Sequence, residues 1–164
     1  MRWCENRSRG VFVSLQRKTE VKPKMRTMKK IKENFQERFE QVRVAVISFE
    51  HNDMTLNFLI DTGSDCSFIR SEIVSKLDVI KRIDSDNVIQ TANGEAKGGG
   101  KVFIEMRRGR CKVQQLFIIH DGVSIWDNDT LENGEFMLHG ILGCNFLRKH
   151  NFKINFKTMK MCGA

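Results

Sequence analysis

Three consecutive apolar residues, Phe58-Leu59-Ile60, run directly into Asp61-Thr62-Gly63-Ser64, and this junction constrains the fold more than any other feature of the chain. An unbroken apolar triplet reads as a strand buried on both faces, hence an interior strand of a sheet. A carboxylate at the end of such a strand is costly unless specific partners surround it. Gly63 permits the sharp turn that brings backbone N–H groups to the carboxylate. Thr62 and Ser64 supply hydroxyls that can hydrogen-bond within the loop. Phe68 and Ile69 then carry the chain back to the core. Taken alone, Asp-Thr-Gly is also a common turn, in which the Asp closes an Asx-turn at a strand end.

The surrounding pattern is that of an all-β domain. Val42, Val44 and Val46 alternate with Arg43 and Ala45, as in a half-buried strand. His51-Asn52-Asp53 reads as a turn, and residues 55–60 as the returning strand of a hairpin. Ser71 is placed to cap a short helix with Ile73, Val74 and Leu77 on its inner side. Residues 88–91 and 101–106 read as strands around a Gly-rich connection, 92–100. Arg108-Gly109-Arg110 turns the chain into another strand, 112–119. A polar loop, 121–135, leads to Ile141-Leu142-Gly143, a short helix over 145–150 and a last strand over 152–156. Many short strands with tight turns point to one β domain over residues 41–164.

Residues 1–40 differ in character. They hold twelve Lys/Arg against five Glu, a net of +7, whereas residues 41–164 hold sixteen against fifteen and are close to neutral. Basic surplus of this kind suits nucleic acid or an acidic surface, but its confinement to the N-terminal segment leaves the body with no hint of a phosphate-binding face. Residues 1–26 read as a flexible arm. Over 27–40, Met28, Ile31, Phe35 and Phe39 fall three or four apart, which predicts an amphipathic helix. The five cysteines are odd in number and lack a C-x-x-C pair, so free thiols are expected rather than disulfides, and no metal or other cofactor is expected. No apolar run reaches the roughly 18 residues that would span a bilayer, and no signal-peptide core is visible, which favours a cytoplasmic protein.

The run from Phe58 to Ile69 resembles the active-site motif of aspartic proteases, in which apolar residues lead into Asp-Thr-Gly-Ser. His139-Gly140-Ile141-Leu142-Gly143-Cys144-Asn145-Phe146-Leu147 is similar to the apolar-apolar-Gly segment that passes beside the catalytic loop in retropepsins. Between them, Thr91-Ala92-Asn93-Gly94 resembles the start of the flap hairpin in retroelement proteases. Together these matches cover residues 41–158 and imply a retropepsin-like acid protease fold: a closed, barrel-like β domain with a flap hairpin and one or two short helices, preceded by the basic extension. The viral enzymes usually carry Arg where this chain has Cys144, and residues 95–100 lack their apolar flap tip. The likeness is therefore to the stand-alone bacterial or phage type, related to retroviral and retroelement proteases.

The resemblance also implies a mechanism. Aspartic proteolysis needs two carboxylates about one water, one accepting a proton and one donating. This chain has a single matching aspartate, so the second is expected from another copy across a two-fold axis. Asp61 would then be catalytic, with Thr62, Gly63 and Ser64 supporting its loop. Thr91, Ala92, Asn93 and Gly94 would belong to a flap over an extended peptide, and Ile141, Leu142, Gly143 and Asn145 would be structural beside the site. The terminal strand near 152–156 would help to form the homodimer. Two other readings stand beside this one: a non-catalytic dimeric peptide-binding or scaffold module of the same fold, and an adaptor whose basic arm contacts nucleic acid or a membrane.

Overall fold

The computed structural model describes residues 31–85, 87–91, 94–121 and 137–163. Strand β2 (Val46–His51) folds back on β3 (Met54–Ile60) through a turn in which Asn52 takes a left-handed conformation, φ 51°. The last five residues of β3 are all buried, because the strand is paired on both edges. It runs antiparallel to β2 on one side and parallel to β10 (Gly140–Leu142) on the other. Beyond β10 come β4 (Phe68–Ile69), antiparallel to it, and β9 (Cys111–Ile119), parallel to β4. Strand β8 (Lys101–Arg108) pairs with β9 through a two-residue turn that begins at Gly109, φ 54°. The pairing of Glu50 with Arg107 brings β8 onto β2 and closes a six-stranded ring, with β5 (Lys81–Ile83) added outside β8. Closure removes most of the exposed sheet edge that an open sheet would present.

The ring is filled by alternating inward residues of β8 and β9, including Val102, Ile104, Met106, Val113 and Phe117, all buried. Aromatic rings connect its layers. Phe58 stacks on Phe117 with centroids 5.3 Å apart, and Phe49 meets Phe146 edge-on at 5.9 Å. Phe146 lies on α3 (Cys144–Lys149), and Ile73 and Val74 on α2 (Ser71–Val74) add to the same core. The N-cap of α2 is Arg70, not Ser71, and its own side chain makes no capping bond; the first-turn Ser71 N–H donates instead to Asp121 Oδ1 at 2.8 Å.

The N-terminal part departs from expectation. In place of one helix over 27–40, residues Ile31–Asn34 form strand β1 and Gln36–Val42 form helix α1. Arg43, at φ 59°, ends the helix, so β2 begins at Val46 rather than at Val42. The cause is a partner strand far away in sequence: β1 pairs with β12 (Lys160–Gly163), which also pairs with β11 (Lys153–Asn155). Ile31 and Phe35 are buried in the main core, and the Phe35 N–H donates to Met159 O at 3.0 Å. The packed body thus extends back to Ile31. A second difference is the Gly-rich connection, of which Gly94–Gly98 is strand β7, paired with β6 (Asn87–Thr91) as a hairpin. Residues 122–136, which include all but the first residue of the polar loop 121–135, lie outside the described residues, as do residues 1–30 with the expected arm and Met28.

Candidate active site

The end of β3 places Asp61. Its N–H donates to Leu142 O at 3.1 Å, extending the β3–β10 pairing one residue beyond Ile60. The carboxylate is then held locally: the Gly63 N–H donates to Asp61 Oδ1 at 2.8 Å. A side chain at residue 63 would bring its Cβ to 3.2 Å from that oxygen, so glycine keeps the approach open. Asp61 is half-buried, whereas Thr62 and Gly63 are exposed at the surface of the loop.

The second half of the loop is fastened by α3. The Cys144 N–H donates to Ser64 O at 2.7 Å, and the Asn145 N–H to Asp65 O at 3.1 Å. These are first-turn amides of the helix, which have no partner within it and are satisfied here by loop carbonyls. Ser64 Oγ donates to Cys66 O at 2.7 Å, and Cys144 Sγ approaches Thr62 O at 3.3 Å. Cys144, where viral enzymes usually have Arg, therefore still touches the catalytic-type loop. A Cβ on Gly143 would overlap the carbonyls of Cys66 and Ser64, so glycine is required for the contact between β10 and the loop.

Behind the loop lies a buried polar junction centred on Ser67, which is fully buried. Its hydroxyl donates to Asn145 Oδ1 at 2.7 Å and accepts from the Gly143 N–H and from Gln115 Nε2, each at 3.2 Å. Asn145 Oδ1 also accepts the Phe146 N–H at 2.7 Å. Gln115 from β9, Asn145 from α3 and the Gly143 amide between β10 and α3 thus converge on Ser67 behind the loop, and a satisfied network of this kind rigidifies its surroundings. The sequence reading included Asn145 and Gly143 but missed Ser67 and Gln115. A signal for Gln115 was present: it shares the inward parity of Val113, Phe117 and Ile119 along β9. Gly140 also belongs to this framework, since a Cβ there would overlap Phe68 O and meet Phe58 Cε1 at 2.8 Å.

A second polar cluster fastens the start of β10. His139 and Asn57 exchange bonds: the His139 N–H donates to Asn57 O, and the Asn57 N–H to His139 Nδ1, each at 2.9 Å. Asn57 Nδ2 donates to Met137 O at 3.0 Å, and Ser48 Oγ to Asn57 Oδ1 at 2.7 Å. Burial, reinforced by the nearby Arg70, lowers the imidazole pKa below its ordinary 6.5. That agrees with the geometry, since Nδ1 must be unprotonated to accept.

The expected flap residues fall on the β6–β7 hairpin. Thr91 and Gly94 face each other in register at its end, with Gly94 at φ 109°; Ala92 and Asn93 lie outside the described residues. The base of the hairpin is rooted on β9, through Gly99 N–H to Ile119 O at 2.8 Å and Ile119 N–H to Gly100 O at 2.9 Å. Ile141 and Leu142 are buried on either side of β10 and pack against different parts of the core. The four cysteines among the described residues, Cys66, Cys111, Cys144 and Cys162, are free thiols. No helix among the described residues is long and apolar enough to cross a membrane.

A family model for aspartyl proteases matches residues 39–146. Among solved structures, an inhibitor-bound EIAV protease is similar at 17% identity and a TM-score of 0.48, over 65% of this chain and 86% of that one. A retropepsin-like aspartic protease from Rickettsia conorii is similar at 15% identity and 0.48, over 82% and 89%. The retroviral protease-like domain of Ddi1 from Leishmania major gives 11% and 0.48, over 70% and 78%. A search of curated proteins finds no match.

Proposed function

Since this chain belongs to the aspartyl protease family, we propose that it is an aspartic endopeptidase whose active site forms between the Asp61 residues of two copies. The observation that carries this reading is the setting of Asp61. A carboxylate ends a doubly paired interior strand, accepts the Gly63 N–H, and sits in a loop clamped by the first-turn amides of α3. Such rigidity is what a group that must meet a symmetry-related copy in fixed geometry requires. A lone Asp61 supplies a base but no acid. Two of them, close together, share one proton, as the carboxylates of aspartic proteases do in general.

The ionised Asp61 takes a proton from water as its oxygen attacks the peptide carbonyl carbon. The protonated Asp61 donates to the carbonyl oxygen, giving a tetrahedral diol. Collapse of the diol breaks the C–N bond as a proton passes to the leaving nitrogen, restoring one shared proton. Thr62, exposed beside Asp61, is assigned to contact between the two loops, and Gly63 to the carboxylate and substrate. The hairpin carrying Thr91, Ala92, Asn93 and Gly94 is assigned to cover the cleft and hold an extended peptide by strand-like hydrogen bonds. The sheet β1–β12–β11 has two edge strands, β1 and β11, and edge pairing of β11 is assigned to the dimer interface.

The test is peptide-library cleavage by the purified protein beside its Asp61→Asn variant. Asn keeps the shape and can still accept from Gly63, but cannot take the proton. Specific cleavage by the wild type and loss of at least a hundredfold in the variant are expected, on the usual scale for removing a general base. Equal cleavage by both would refute the assignment. Tight peptide binding with no cleavage by either would instead favour the non-catalytic module.

A further inference from the structure

A cleft of about 640 Å³ lies away from Asp61. Its lining includes Lys32 from β1, Glu50 and Thr55 from the β2–β3 hairpin, and Arg107, Arg108 and Arg110 around the β8–β9 turn. Thr55 and Asp61 stand at opposite ends of one extended segment, so cleft and carboxylate are ~20 Å apart at the strand rise of ~3.4 Å per residue. Averaged over residues 41–164 the body is nearly neutral, yet here four cations surround one carboxylate.

The four cations have different duties. Arg108 is structural: Nη2 pairs with Glu33 at 2.5 Å, Nε donates to Lys32 O at 2.8 Å, and Nη1 to Ser48 O at 2.5 Å. It ties β1 to the barrel, and Glu33 is spent on it. Lys32, Arg107 and Arg110 are exposed, and the ion pairs of the described residues do not engage them. Glu105, near Arg107 on β8, is committed to Lys112 at 2.7 Å and Gln114 at 3.2 Å. Only Glu50, opposite Arg107 in the sheet register, offsets this charge within the cleft.

Lys32 is also where the basic extension meets the body. Residues 1–30 carry ten Lys/Arg and two Glu, a net of +8, and join the cleft wall two residues before Lys32. A concave, cationic cleft continuous with a cationic chain segment fits a linear polyanion. We propose that this cleft binds the phosphodiester backbone of single-stranded nucleic acid. A concave cationic site can follow the flexible phosphate line of a single strand, whereas a layer of lipid headgroups presents its charge on a flat surface. Among the described residues lining it Phe49 is the only aromatic and is buried, so the described wall offers charge rather than a stacking ring, which fits recognition of the backbone, independent of sequence. The proposal is independent of the protease reading, because it uses no residue near Asp61.

The test is fluorescence anisotropy of a labelled oligouridylate of roughly 20 nucleotides with the full chain, between about 50 and about 200 mM salt. The double variant Arg107→Gln/Arg110→Gln is compared with Lys76→Gln/Lys81→Gln, which removes the same charge elsewhere on the surface. Loss of two phosphate contacts is expected to weaken binding about tenfold and to reduce the salt slope by about 1.4. The control is expected to bind within about twofold of wild type. If the cleft pair unfolds early, Arg110→Glu, at an exposed turn, carries the comparison with an expected loss of about threefold or more. Unchanged binding by the cleft variants, or equal losses in both pairs, would overturn the proposal. So would capture by vesicles containing phosphatidylserine without any binding of the oligonucleotide.

Discussion

Asp61, Gly143 and His139 show three ways in which single residues hold this site. Asp61 was legible because its partner, Gly63, is two residues away, and local geometry is encoded locally. Gly143 was legible only as part of a motif; its physical need, the approach of the Cys66 and Ser64 carbonyls, comes from a loop distant in sequence. Gly143→Ala should therefore displace the loop, costing about 1–3 kcal/mol by overpacking, and peptide cleavage should fall more than stability does. Equilibrium denaturation and kcat/KM together check this. His139 makes a pH prediction. Its pKa is lowered in the folded chain, first by burial and then by Arg70, so the unfolded chain binds the proton more readily between that lowered value and 6.5. Stability must then rise with pH across this window and be lost as pH falls from about 6.5 through the folded value. Protonation would also oppose the Asn57 N–H that donates to Nδ1. His139→Asn, whose amide oxygen can accept in place of Nδ1, should flatten the difference in denaturation midpoint between pH 7.5 and pH 5. An unchanged difference would show that other groups set it.

At the scale of elements, strands with regular alternation, such as β8 and β9, were readable from sequence, as was the apolar interior of β3. The failures have one cause: the deciding partner is remote or the composition misleads. Ile31, Phe35 and Phe39 satisfy helical spacing, but Ile31–Asn34 is also compatible with a strand, and its partner begins at Lys160. Gly94–Gly98 has the composition of a loop and becomes a strand through its register with Asn87–Thr91. Strands β5 and β12 were not anticipated; β5 is exposed throughout, so it lacks the alternation that marks half-buried strands. These observations predict where the chain can be cut. A chain starting at Thr27 keeps Ile31 and Phe35 and should unfold cooperatively, near the midpoint of the full chain. One starting at Gln41 loses both, and Phe35→Ala alone should cost about 3–5 kcal/mol. Thermal unfolding of the three chains distinguishes a core element from a removable extension.

The described residues bring together a clamped carboxylate loop and a three-stranded sheet with β1 and β11 at its edges, and the consequence of pairing two copies can be measured without knowing the natural substrate. If each active site needs Asp61 from both subunits, a dimer containing one Asp61→Asn chain has no pair able to share a proton and should be inactive. Mixing equal amounts of wild-type and variant chains, with time for exchange, leaves about a quarter of the dimers fully wild type by random pairing of two copies. Activity should therefore fall to about a quarter, whereas simple dilution of an independent monomer would leave about half. The same model requires specific activity to drop when protein concentration falls below the dimer dissociation constant, because the catalytic unit is bimolecular. Restoring concentration should restore it. The carboxylate pair also requires single ionisation, so activity should follow a bell in pH. A linear mixing curve that holds at half activity, with specific activity independent of concentration, would place both catalytic groups within one chain and end the two-copy mechanism.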